Sequence, residues 1–305
     1  TKDEFLARLQ THLNLRQIND VTSRFVPTEF IRAIGRETIT EVRLGDNKAQ
    51  DITVLFTDIR GYTGLSEAMS PEENFRFVQA YAGRMGPIIH RNHGFVNQYL
   101  GDGIMALFQR KGEDALQAAI DMQHRVWEYN HQRKSKGRSP IKVGIGLHTG
   151  PLIMGIIGDN LRSDPAVIAD TVNTASRLEG LTKYYGAAIL VSEDSLATMS
   201  PAYRSGCRYL GLVQVKGRQQ PMGLYECFLG DEPELIKRKQ TMAIEFDAAV
   251  EAYLLGDMEL AVAKFSPLAA TGGDQTAQYF LTKAKHYRDE GVPTDWIGVE
   301  VMIKK

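Results

Sequence analysis

Two aspartates each end an apolar run at a glycine turn. Asp58 closes Ile52-Thr53-Val54-Leu55-Phe56-Thr57 and opens Asp58-Ile59-Arg60-Gly61-Tyr62-Thr63. Asp102 sits inside Tyr99-Leu100-Gly101-Asp102-Gly103-Ile104-Met105-Ala106-Leu107-Phe108. A carboxylate at the end of a buried strand is costly to leave unpaired. Two of them brought together suit divalent cations, which take hard oxygen ligands. Such a site suits phosphate chemistry, where metal ions neutralise charge and activate a hydroxyl. The plainer alternative is a pair of ordinary turn aspartates.

Other residues carry chemistry of their own. Gly61-Tyr62-Thr63 follows Asp58 directly. Gly61 permits a tight turn, and successive backbone N–H groups there can form an anion nest; the alternative is a simple strand-to-helix connection. Asn173 and Arg177 are four residues apart on one helical segment and share a face. Arginine offers a planar fork of fixed charge, although a surface Arg paired with a carboxylate reads the same way. Lys216 lies in Val215-Lys216-Gly217-Arg218, where a lone lysine is commonly a solvated turn charge. His148 sits in an apolar strand and reads as a satisfied structural histidine.

These residues need elements to position them. Residues 52–57 read as a buried strand. Ser70-Pro71-Glu72-Glu73 is a capping box with proline at the first helical position. The helix it starts runs to Gly94, with Phe75, Val78, Tyr81, Met85, Ile88 and Ile89 on its apolar face. Residues 95–100 and 104–108 pair as a hairpin around Gly101-Asp102-Gly103, which sets Asp102 beside the end of the first strand. A helix covers roughly 113–133, and Ile141, Val143, Ile145 and Leu147 alternate as a strand. Another helix covers 170–185 and ends at Gly186. This order gives an α/β (α+β) fold with a ferredoxin-like βαββαβ pattern.

Three regions follow: a helical lead-in at 1–50, a central domain at 51–230 and a helical appendage at 231–305. In the first, Leu6, Leu9, Leu13, Leu15, Ile18 and Val21 recur at loose helical spacing until Pro27 and Gly35 break it. That stripe is either a docking helix on the same domain or a signalling helix. In the last, Gly256, Met258, Ala261 and Phe265 match one tetratricopeptide-like unit over about 243–269, with a helix at 275–289. A single unit cannot bury a solenoid core, so it packs on the central domain or on a partner subunit. Trp296-Ile297-Gly298-Val299 reads as a docked apolar tail.

The 305 residues allow a sizeable core, and 43% hydrophobic with 24% charged residues is ordinary for a globular protein. A net charge of −1 gives no footprint for nucleic acid. Cys207 and Cys227 lie in strand-like runs and read as reduced thiols, which suits a cytoplasmic setting. No run approaches the ~20 apolar residues of a membrane helix. The chain starts at Thr1, which leaves room for an upstream sensor or membrane region.

Five segments in order make a specific resemblance. They are Phe56-Thr57-Asp58-Ile59-Arg60-Gly61-Tyr62-Thr63, Gly101 to Phe108, Gly146-Leu147-His148-Thr149-Gly150, Asp170-Thr171-Val172-Asn173-Thr174-Ala175-Ser176-Arg177-Leu178-Glu179, and Val215 to Arg218. Residues 51–228 resemble the catalytic domain of class III nucleotidyl cyclases. The resemblance implies a homodimer that cyclises a nucleoside triphosphate with two divalent cations, Mn²⁺ or Mg²⁺, for a downstream cyclic-nucleotide effector. It implies metal positions at Asp58, Ile59 and Asp102, phosphate contacts at Gly61, Tyr62, Thr63 and Lys216, and catalytic roles for Asn173 and Arg177, supplied by the other subunit. It implies base readers at Gln98 and Ala166, where adenylyl cyclases carry lysine and aspartate or threonine, and guanylyl cyclases glutamate and cysteine. Gln98 both donates and accepts, and Ala166 does neither. Loss of the purine pair resembles the pyrimidine cyclases of bacterial anti-phage signalling and leans toward UTP or CTP, with ATP and then GTP as alternatives. A silent nucleotide-binding module is the non-enzyme alternative.

Overall fold

The computed structural model describes residues 2–159, 161–215, 220–270, 272–293 and 296–302. In chain order the elements begin with α1 (Lys2–Phe25), α2 (Thr28–Ala33), β1 (Asn47–Ile59), α3 (Tyr62–Glu67) and α4 (Pro71–Arg91). Then come β2 (Phe95–Leu100), β3 (Gly103–Phe108), α5 (Gly112–Ser135), β4 (Val143–Gly158), β5 (Ser163–Ile168) and α6 (Asp170–Tyr185). β6 (Ile189–Ser192), α7 (Glu193–Ala197), α8 (Pro201–Arg204), β7 (Cys207–Val215) and β8 (Met222–Cys227) follow. The chain closes with α9 (Pro233–Thr241), α10 (Ala243–Leu254), α11 (Met258–Ala270), α12 (Gln275–Glu290) and β9 (Val299–Met302). It divides into two compact units, Thr1–Gln50 with Pro151–Ala169, and Asp51–Gly150 with Asp170–Lys305.

In the first unit the far part of β4 pairs antiparallel with β5, Met154 opposite Val167 and Gly155 opposite Ala166. Asp46 is the anchor of its loop. Arg36 grips it with two bonds of 2.6 and 2.9 Å, and the Arg43 amide donates a third at 2.8 Å. Those bonds hold the Asp46 carboxyl down at about 2, the Arg36 side-chain bond contributing most. α1 buries none of its residues.

The second unit carries the sheet, in the order β2-β3-β1-β4-β6-β8-β7-β9. The β1-helix-β2-β3-helix-β4 part is the ferredoxin-like pattern, with β1 between β3 and β4. The Ser70 capping box forms as expected: Ser70 Oγ accepts from the Glu73 amide and Glu73 from the Ser70 amide. α4 and α5 cover one core, built on Leu55, Tyr81, Met85, Ile89, Phe108 and Ile145. Phe75 departs from expectation. It is 71% exposed, and Phe77, four residues before Tyr81, takes the inward position. α6 ends where predicted, with Gly186 at φ +71°.

A second core joins Leu178 and Tyr185 of α6 to Leu210 and Leu224 of the sheet and to Phe246, Tyr253, Phe265 and Phe280 of α10–α12. Each buried aromatic contributes about 1.5–3 kcal/mol, so the carboxy-terminal helices are part of this unit's interior. The tetratricopeptide-like pair thus packs on the sheet and α6, one of the two expected outcomes. A buried ion network fixes the same joint. Arg208 binds Glu226 at 2.6 Å and Asp274 at 2.7 Å, and Lys239 binds Glu226 and Asp231 at 2.7 Å each. Breaking such a network by removing one partner is strongly destabilising, by about 3–5 kcal/mol. The tail docks as expected: Trp296 Nε1 donates to Leu254 O at 3.1 Å, and β9 adds to β7 as a parallel strand. Cys207 and Cys227 stand opposite each other on β7 and β8 as free thiols. Among the described residues no helix is long and apolar enough to cross a membrane.

Candidate active site

β1 and β3 run antiparallel with Phe56 opposite Met105 and Thr57 opposite Ile104. The next pair in register is Asp58 and Gly103. Gly103 has no side chain to spare there: a Cβ would stand 3.0 Å from Thr57 O and 3.5 Å from Asp58 Oδ1. Asp102 occupies the two-residue turn between β2 and β3, preceded by Gly101 at φ +67°, a left-handed conformation that favours glycine. Register and turn together bring the two carboxyls within hydrogen-bond reach.

The electrostatics follow. Burial, then the hydrogen bond and charge of Asp102, and then the charge of Glu179, push the Asp58 carboxyl up to about 8. Two carboxyls this close share a proton unless a cation replaces it. The Ile59 amide donates to Asp58. The Ile59 side chain is apolar and buried, so only its main-chain oxygen is available as a ligand. The donor set is hard oxygen and fits Mg²⁺ or Mn²⁺, which are bound by one or two carboxylates with the remaining positions left to water and phosphate. Among the described residues no cluster of three or more His, Cys, Asp or Glu suits a metal ion.

Gly61 adopts φ +70° and starts α3. Tyr62 has a structural part: its hydroxyl donates to Asn74 Oδ1 at 2.6 Å and its ring stacks on Phe77 with centroids 6.3 Å apart. Thr63 is exposed. Lys216 lies outside the described residues.

Asn173 and Arg177 lie on the outer side of α6, Asn173 exposed and Arg177 partly so. Arg177 Nη1 stands 3.9 Å from Asp170 Oδ1 and has no hydrogen-bond partner among the described residues. Neither residue bonds to Asp58 or Asp102 of its own chain among the described residues. Gln98 is exposed on β2, opposite Met105 and just past a bulge at Asn97. Ala166 is half-buried on β5, opposite Gly155, in the other compact unit. His148 is structural as expected: buried, with Nδ1 2.8 Å from Ser192 Oγ.

Two residues that the sequence reading quoted without a role belong to this centre. Arg60, two residues past Asp58, donates to Thr182 O at 3.1 Å and to Ala187 O, tying the strand end to the last turn of α6 and the residue after Gly186. Glu179 on α6 is pushed up to about 7, first by burial and also by Asp102, against the pull of Arg60 and Lys183. Gly144 and Gly146 let the helix approach: a Cβ on Gly146 would fall 2.6 Å from Ala175 O. The alternation of these two glycines along β4 was the readable signal. It marks a strand face that accepts a backbone at close range.

Comparison with known proteins gives consistent matches. Residues 45–228 match the family model described as the adenylate and guanylate cyclase catalytic domain. An adenylate cyclase of Anabaena cylindrica is 42% identical over 231 residues, 73% of this chain. The chain spans 46% of that relative's length. The crystal structure of the guanylyl cyclase Cya2 is 31% identical, with a TM-score of 0.53 over 61% of this chain and 96% of that one. A bacterial light-regulated adenylyl cyclase, 22% identical, shares the fold with a TM-score of 0.63 over 78% of this chain and 69% of its own.

Proposed function

This chain belongs to the adenylate and guanylate cyclase catalytic domain family, and from that premise we propose that it converts a nucleoside triphosphate into a 3′,5′-cyclic nucleotide and pyrophosphate. The observation that carries this reading is the Asp58–Asp102 carboxyl pair, held together by register and charged only at some expense. Asp58, Asp102 and the main-chain oxygen of Ile59 would hold two divalent cations, Mn²⁺ or Mg²⁺, which when bound neutralise phosphate charge and acidify the ribose 3′-hydroxyl. The 3′-oxygen bonds to the α-phosphorus as the bond to pyrophosphate breaks, and the hydroxyl proton passes to solvent. The chain's part is positioning and charge. The Gly61-Tyr62-Thr63 backbone and Lys216 receive the β- and γ-phosphates. Asn173 orients the ribose, and Arg177 offers its guanidinium to the reacting phosphate.

In this reading the site is shared. Asn173 and Arg177 make no bond to their own Asp58 or Asp102 among the described residues, and they complete the site of a second copy in a symmetric dimer. Upstream input and a downstream cyclic-nucleotide effector belong to the same reading.

ATP is the base assignment that the Anabaena cylindrica adenylate cyclase supports. A second reading, UTP or CTP, rests on Gln98 and Ala166. Gln98 offers a donor and an acceptor to a base edge, and Ala166 offers neither. One assay separates the two. The protein is incubated with ATP, GTP, CTP or UTP and Mn²⁺, and the products are identified by mass spectrometry. Cyclic AMP as the dominant product supports the first reading and cyclic UMP or CMP the second. No cyclic product from any of the four refutes both.

A further inference from the structure

Away from the cyclase centre, a cavity of about 610 Å³ opens among α3, α4 and the end of α5. Its deepest cation is Arg133, which is 4% exposed. Arg133 Nε donates to Ser139 O at 2.7 Å. The guanidinium lies 5.2 Å from the Phe77 ring centroid and 5.6 Å from that of Tyr129. Among the described residues it has no carboxylate partner and no further hydrogen bond. A buried charge without a counter-ion is costly, and the aromatic faces offset only part of that cost.

The rest of the wall does not supply the missing anion. Arg76 and Arg138 add two more positive charges at the rim. Glu73 is the one carboxylate among the lining residues, and it is engaged by the Ser70 amide at 3.0 Å. Arg84 stacks on the Tyr129 ring at 4.2 Å and brings a further positive charge near the same place. Leu65 of α3 and Met69 just past its end, with Phe77 and Tyr129, make the remaining surface apolar. The combination is a buried guanidinium, a basic rim and an aromatic wall.

We propose that this cavity binds a small organic anion: a phosphate or carboxylate head at Arg133, with an aromatic or aliphatic body against Phe77, Tyr129 and Leu65. The occupant is distinct from the cyclase substrate, whose centre lies at Asp58 and Asp102. Phenyl phosphate, benzoate and inorganic phosphate, titrated separately into the full chain by calorimetry with EDTA present, test this. Phenyl phosphate or benzoate should bind once per chain, the tighter of the two telling which head the site takes. The pair Arg76→Glu and Arg138→Glu, both exposed, should weaken binding about tenfold or more, and Arg177→Ala should leave it unchanged. Arg133→Gln should abolish it; should that variant not fold, the rim pair decides. Unchanged affinity in the rim variant, loss of binding in Arg177→Ala, or no binding of either organic probe overturns the proposal. Inorganic phosphate binding as tightly as phenyl phosphate overturns the organic body.

Discussion

Asp58 and Asp102 bring their carboxyls together where β1 ends against the β2–β3 turn. Neither residue is near the other in sequence. Burial first, and then the neighbouring Asp102 carboxyl, push the Asp58 carboxyl up to about 8.

Removing either carboxylate should end turnover. Asp58→Ala and Asp102→Ala are expected to lower kcat by more than about 100-fold, the upper range for loss of a group that merely supports a ligand. The circular dichroism spectrum should stay that of the parent. Product formation within a few-fold of the parent by either variant refutes the assignment.

Cation binding should depend on pH with a definite sign. The folded-state pKa of Asp58, about 8, is raised above the unfolded carboxylate value. In the absence of metal, stability from the protonated form is fully present below about pH 4 and is lost as pH rises toward about 8. A cation competes with that proton, so Mn²⁺ affinity should rise up to about tenfold per pH unit and level off above about pH 8. Calorimetric titrations at several pH values check this. A flat profile in the parent protein rules it out.

Subunits should complement each other. Asp58→Ala and Arg177→Ala are each expected to be inactive alone. Mixed and exchanged, they should recover activity at the one heterodimer site that retains Asp58, Asp102, Asn173 and Arg177 together. Continued silence after exchange has been confirmed by mass spectrometry argues against a site built from two copies.

In the proposed reading Gln98 and Ala166 read the base, so changes at either should move nucleotide preference. Gln98→Ala is expected to lower turnover of the preferred nucleotide by the equivalent of about 1–3 kcal/mol, the cost of an unmade buried hydrogen bond, with little change in metal dependence. Gln98→Lys with Ala166→Thr should raise the preference for ATP over UTP and CTP. If competition assays with all four nucleotides show no change in preference for either variant, these residues do not read the base.

Close packing of α6 on β4 should be intolerant of a methyl group. Gly146→Ala places a Cβ against Ala175 O and the Glu179 backbone. It should cost about 1–3 kcal/mol of stability, measured by chemical denaturation, and reduce activity as α6 shifts. A variant as stable as the parent contradicts the observed approach.

The sequence by itself determined the parts whose causes are local. The Ser70–Glu73 box, the hairpin around Gly101-Asp102-Gly103 and the Gly186 stop are short-range signals, and each formed where its residues implied. The five ordered segments fixed the family, and through it the candidate site residues. What only the tertiary structure decided depends on contacts between distant residues. Phe77 rather than Phe75 faces the core because the helix phase is set by Tyr81 and Met85 against the sheet. Arg60 and Glu179 gain a role because β4's glycines admit α6, a consequence of strand pairing that no window of sequence contains. The buried Arg208–Glu226–Lys239 network joins strands to helices from separate parts of the chain. Only a fold that removes water from all of them at once makes such charges pair.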